Sequence, residues 1–174
     1  FRGLSSNVNI IAIPSKDGKT DPKKLMEAAL MDFFGTEERN AIYALDVKQK
    51  DMVWFAIDTD EWGGKIGDLR DFCKLRNRDV DSDVWNVAQS NPCFEIWLYY
   101  HFFDKEPDKE SVEEFSSLKN FVDAMIPGGF DSRKHPALLA TAISNASANY
   151  HEQNEMPDVF STEVYKLGQE ILPF

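Results

Sequence analysis

Two carboxylates, Asp58 and Asp60, follow directly on the apolar run Met52-Val53-Trp54-Phe55-Ala56-Ile57. The run is rich in β-forming residues and suits a strand covered on both faces, as in a parallel sheet. In an extended chain, residues two apart point to the same side. Their Cα atoms then stand about 6–7 Å apart, within reach of one divalent cation. Two like charges this close repel unless a cation, a proton or water intervenes. Ligands of open α/β sheets collect at the carboxyl ends of the strands, where this pair sits. The same pair also fits a polar strand end followed by a helix N-cap, and the sequence alone leaves both readings open. Gly63-Gly64 then permits a tight turn into a helix.

A second polar group follows the strand predicted at Val84–Ala88. Ser90, Asn91 and Glu95 lie just past its end. Asn91 can cap a helix with Pro92 at the first helical position, and Glu95 then falls in the first turn, where the helix dipole favours it. If the two strands are parallel neighbours, these three side chains face the same crevice as Asp58 and Asp60. His101 shares a helical stripe with Phe94, Trp97 and Leu98 and reads as core or boundary. Gly18-Lys19-Thr20 lies between a strand and a helix, but a phosphate-binding loop needs a glycine where Ile13 stands. A zinc centre is not expected from three scattered histidines, His101, His135 and His151, and two cysteines without CxxC spacing, Cys73 and Cys93.

These groups need elements to hold them. Val8–Ile13 reads as a short buried strand ended by Pro14. Asp21-Pro22 starts a helix with Leu25, Met26, Ala29, Leu30 and Phe33 on one face. A second helical piece is predicted over Glu37–Val47. Ile66, Leu69, Phe72, Cys73 and Arg76 mark a helix that covers the sheet. Strand, helix, strand, helix, strand at these spacings implies right-handed βαβ units. After the acidic linker Asp104–Lys109, the spacing predicts one helix through Val112–Met125 and another from near Pro136 to Tyr150. A polar loop over Glu152–Asp158 and a last helix starting at Ser161 or Thr162 complete the chain. The expected organisation is an α/β core over residues 1–103, with a small parallel sheet covered by helices, and a helical C-terminal subdomain over 104–174 packed on it.

The chain has 174 residues, a net charge of −11 and 28% charged residues. Such acidity disfavours loose electrostatic binding to nucleic acid or anionic membranes. It leaves room for a metal-dependent nuclease, because a bound cation inverts the local field. No apolar run approaches the ~20 residues of a membrane span. Neither a signal peptide nor a disulfide framework is recognisable, so a cytoplasmic location is expected.

Val53-Trp54-Phe55-Ala56-Ile57-Asp58-Thr59-Asp60, followed by Ala88-Gln89-Ser90-Asn91-Pro92-Cys93-Phe94-Glu95-Ile96-Trp97-Leu98, resembles the RloB-like family of bacterial proteins linked to phage defence. Lys19-Thr20-Asp21-Pro22 and Ser161-Thr162-Glu163-Val164-Tyr165-Lys166-Leu167 extend the likeness over most of the chain. The resemblance implies a divergent Toprim fold, with Asp58 and Asp60 as a metal pair for Mg²⁺ or Mn²⁺. It casts Asp58, Asp60 and Glu95 as catalytic candidates, with Ser90 and Asn91 lining the substrate site. The function it implies is a Mg²⁺-dependent nuclease, or a related phosphoryl-transfer protein, in an abortive-infection system, with a nucleic acid as substrate or a defence protein as partner. The alternative is a non-catalytic partner or sensor subunit of a defence complex. Proteins of this kind also carry an earlier strand with a glutamate; nothing before Val8 supplies it. A chain that opens at Phe1 rather than Met is expected to be preceded by more of the protein.

Overall fold

The computed structural model describes residues 8–13, 21–59 and 62–172. It is a mixed α/β structure. Its central feature is a two-stranded sheet of β1 (Val53–Asp58) and β2 (Trp85–Ser90). Val53 N donates to Val84 O, and Thr59 N donates to Ser90 O. The pairing offset is 31 residues at both ends, so the strands run parallel. The chain divides into two compact units. One holds residues 11–55 and 61–87, the other 1–10, 56–60 and 88–174. Residues 104–174 therefore share a unit with the carboxyl ends of both strands.

In the first unit, α1 (Pro22–Phe34) starts where expected. The Asp21 side chain accepts a bond from Lys23 N, with Pro22 at the first position. Asp21 also meets Lys65 at 3.1 Å, and this pair is the chief reason its carboxyl lies below the usual range. Lys65 belongs to α2 (Gly63–Val80), which packs on α1. Gly63 and Gly64 are the first residues of α2 rather than a turn before it. Ile66, Leu69 and Cys73 are buried, as the predicted stripe requires. Rings from Phe33, Phe34, Phe55 and Phe72 gather round Trp85, with centroids 5.1–6.2 Å from it. Asn77 ties α2 to the start of β2: its side chain accepts from Val84 N and Trp85 N and donates to Trp85 O.

The second unit is mostly helical. It contains α3 (Glu95–Tyr99), α4 (Lys109–Glu113), α5 (Leu118–Met125), α6 (Leu139–Ala148) and α7 (Val164–Ile171). Helix α3 packs on α5 and α6, and α6 on α7. Ile96, Trp97, Tyr100, Phe121, Val122, Ile126, Ala142, Ile143 and Ala146 form its core. Gly168 allows the α6–α7 approach. A Cβ there would stand 2.8 Å from Ile143 Cγ1, closer than packed atoms tolerate.

Several expectations are corrected. Val8–Ile13 is not a strand, and Val8, Ile10, Ile11 and Ile13 are exposed. A strand exists through ladder hydrogen bonds, and among the described residues this run has no strand partner. Nor is β1 covered on both faces: Phe55 and Ile57 are buried, whereas Ala56 between them is exposed. The expected helix over Glu37–Val47 is absent; only a short 3-10 turn, Val47–Gln49, starts at its end. Gly35 ends α1 in the left-handed region at φ 75°, and the Asp32 carbonyl accepts from both Ile42 N and Tyr43 N. The single helix expected over Val112–Met125 is two, because Ser117 is extended and its hydroxyl caps α5 at Asn120 N. The Glu152–Asp158 loop holds a short hairpin, β3 (Glu152–Gln153) with β4 (Met156–Pro157). The Gly18-Lys19-Thr20 stretch lies outside the described residues.

Candidate functional site

The alternation of β1 places Asp58, half-buried, at the carboxyl end of the strand. The next residue is anchored heavily. Thr59 N donates to Ser90 O at 2.9 Å and to Pro92 O at 3.1 Å. Its hydroxyl donates to Ser90 O at 2.9 Å and accepts from Gln89 Nε2 at 2.7 Å. Asp60 lies outside the described residues.

The end of β2 is polar yet buried. Gln89 is 0% exposed and Ser90 1%. Buried polar groups need partners, and the segment Phe160–Glu163 supplies them. Glu163 N donates to Gln89 O, Asn91 N to Ser161 O and Phe160 N to Asn91 O. Ser90 bridges Thr162 in antiparallel sense, and their hydroxyls lie 2.8 Å apart. The buried Glu163 carboxylate accepts from Gln89 N at 3.1 Å through one oxygen. Its other oxygen meets Lys166 Nζ at 3.0 Å and the Tyr150 hydroxyl at 3.4 Å. Burial, together with the Glu152 and Glu163 carboxylates, holds the Tyr150 phenol above its usual range.

Ser90, Asn91 and Glu95 all belong to the unit that carries Asp58. Ser90 is engaged with Thr162. Asn91 does not cap a helix: α3 begins at Glu95, and the Asn91 amide donates to Pro157 O at 2.8 Å. Glu95 sits in the first turn of α3, as expected, with Lys119 Nζ at 3.7 Å. This pair is largely exposed on the lysine side, where such contacts contribute little. His101 is a core residue. Its ring packs against Trp97 and Phe130, and its Nδ1 lies 3.0 Å from the Trp97 carbonyl.

A family model described as RloB-like protein matches residues 1–171, essentially the whole chain. The chain belongs to the RloB-like family. No curated protein and no solved structure matches it.

In this RloB-like chain, the carboxyl end of β1 presents the carboxylate of Asp58. Mg²⁺ keeps several waters and needs only one or two carboxylates from the protein, a donor type that Asp58 supplies at this strand end. Among the described residues no three potential ligands come together, so a closed metal cage is not formed by them. Thr59, Gln89, Thr162 and Glu163 are not among the site residues expected from the sequence. Their signal was present: Gln89-Ser90 continues an apolar strand with polar groups that need buried partners, and Ser161-Thr162-Glu163 is a polar triplet elsewhere in the chain.

Proposed function

We propose that this RloB-like chain is a Mg²⁺-dependent phosphodiester-cleaving or related phosphoryl-transfer protein of a bacterial phage-defence system, built on a reduced Toprim-like sheet. The observation that carries the reading is the position of Asp58. It stands at the carboxyl end of a strand in a parallel sheet, one residue from a threonine locked onto the end of the neighbouring strand. In this reading Asp58 and Asp60 hold the cation, which polarises a phosphate oxygen and lowers the pKa of a bound water. In the same reading Glu95 handles protons, and Ser90 and Asn91 shape the wall behind the substrate. The defence role and the Toprim relationship rest on the family resemblance. The test is calorimetric titration with Mg²⁺ or Mn²⁺, followed by a cleavage screen with DNA, tRNA and other RNA. Asp58→Ala should remove both binding and cleavage; cleavage that persists in a pure Asp58→Ala preparation sinks the reading.

A second reading, a non-catalytic partner or sensor in a defence complex, draws support from one observation. The Glu95 carboxylate is near Lys119, and Ser90 and Asn91 already have protein partners. Isolation of the native complex tests it: a stable stoichiometric partner together with no cation binding favours this reading over the first.

A further inference from the structure

The polar groups behind the end of β1 form one continuous chain within a single unit. Lys166 pairs with Glu163, Glu163 holds Gln89 N, the Gln89 amide donates to the Thr59 hydroxyl, and that hydroxyl donates to Ser90 O. Gln89 and Glu163 are 0% and 3% exposed. Placing a fully buried amide and a nearly buried carboxylate costs desolvation free energy that a plain Val or Leu would avoid. Glu163 holds the Gln89 backbone, and the Gln89 amide in turn bonds Thr59, the residue directly after Asp58. A cation site needs its ligand backbone held within about 0.5 Å.

We propose that Thr59, backed by Gln89 and Glu163, is a positioning residue that fixes the end of β1 so that the Asp58 carboxylate is preorganised for a hydrated divalent cation. The inference rests on the cation reading of Asp58 above. Groups that orient a ligand from behind typically change metal affinity by 10–100-fold when removed. Thr59→Val keeps the β-branched shape and replaces the hydroxyl with a methyl group, so the bond from the Gln89 amide is lost. Thr59→Ser keeps the hydroxyl.

The experiment measures Mn²⁺ affinity by electron paramagnetic resonance on the full chain, with the thermal midpoint recorded for each variant. Thr59→Val should weaken Mn²⁺ binding about tenfold, and Thr59→Ser should restore it. A Thr59→Val protein with a lowered midpoint but parental Mn²⁺ affinity, while Asp58→Ala has lost binding, makes Thr59 merely structural. That result overturns the inference and leaves the cation reading standing. A parent that does not bind Mn²⁺, or an Asp58→Ala variant that binds as the parent does, overturns both. If Thr59→Val does not fold, Thr59→Ala removes the same hydroxyl without added bulk and is judged by the same outcomes.

Discussion

The surroundings of His101 favour its neutral form. Burial beside Trp97 and Phe130 lowers its pKa from the ordinary 6.5; the Trp97 carbonyl opposes this, and nearby His135 adds to it. Above pH 6.5 the ring is neutral in the folded and the unfolded chain, and its contribution to stability is fully present. Below 6.5 the unfolded chain binds the proton first, so stability falls until the folded-state value is passed. The urea midpoint should therefore drop between about pH 7 and pH 5. His101→Phe should make that decline shallower, and an unchanged slope would assign it to other groups. Cys73 offers a second test. Burial pushes its thiol up to about 12, and only the thiolate reacts readily. Iodoacetamide at about pH 8, near the ordinary thiol range, should spare Cys73 in the folded protein and label it in urea. Peptide mass spectrometry reads the difference, and rapid labelling of the native protein would show that the site opens.

At the scale of elements, two contacts between neighbours should dominate local stability. Asn77 carries three hydrogen bonds to Val84 and Trp85, and loss of buried partners costs about 1–3 kcal/mol. Asn77→Ala should lower the denaturation free energy by that order; a change below about 0.5 kcal/mol, the range of an uninvolved surface site, would mean water replaces the amide. At Gly168 two effects compete. A side chain gains a few tenths to about 1 kcal/mol of helix propensity over glycine, but overpacking costs about 1–3 kcal/mol. With Ile143 Cγ1 only 2.8 Å from the Cβ position, Gly168→Val should be net destabilising, visible as a lower thermal midpoint.

The same local-versus-distant distinction explains what the sequence made legible. Helices α1 and α2 and strands β1 and β2 were readable because their signals lie within each segment: a capping Asp-Pro, a 3.6-residue stripe, a dense β-forming run. The region 37–47 is not, because two of its backbone amides, Ile42 N and Tyr43 N, are taken by the Asp32 carbonyl rather than by their own turn. Nor was the split at Ser117, where a helical stripe continues across an extended capping residue. At the candidate site, Asp58 was legible from its place after an apolar run. The sequence places Ser90 and Asn91 past a strand end, and the segment that bonds them lies about seventy residues away, beyond the reach of any local pattern.

For the molecule as a whole, a net charge of −11 means self-repulsion in the compact state. Raising salt from about 20 to about 200 mM shortens the screening length severalfold and should raise the thermal midpoint; a fall would point to attractive pairs such as Arg39–Asp32 outweighing the repulsion. Neither compact unit is a continuous stretch of chain, so no single cut yields one of them intact. The pairing of Ser90 with Thr162 adds a dimension of time. A ribosome adds about 5–20 residues per second, so roughly 4–15 s of synthesis separate β2 from the segment that backs it. Throughout that interval the nascent chain carries Asp58 without the Glu163 brace. A message cut short before Phe160 yields a protein with both strands and the acidic residue, yet with the support behind them never delivered.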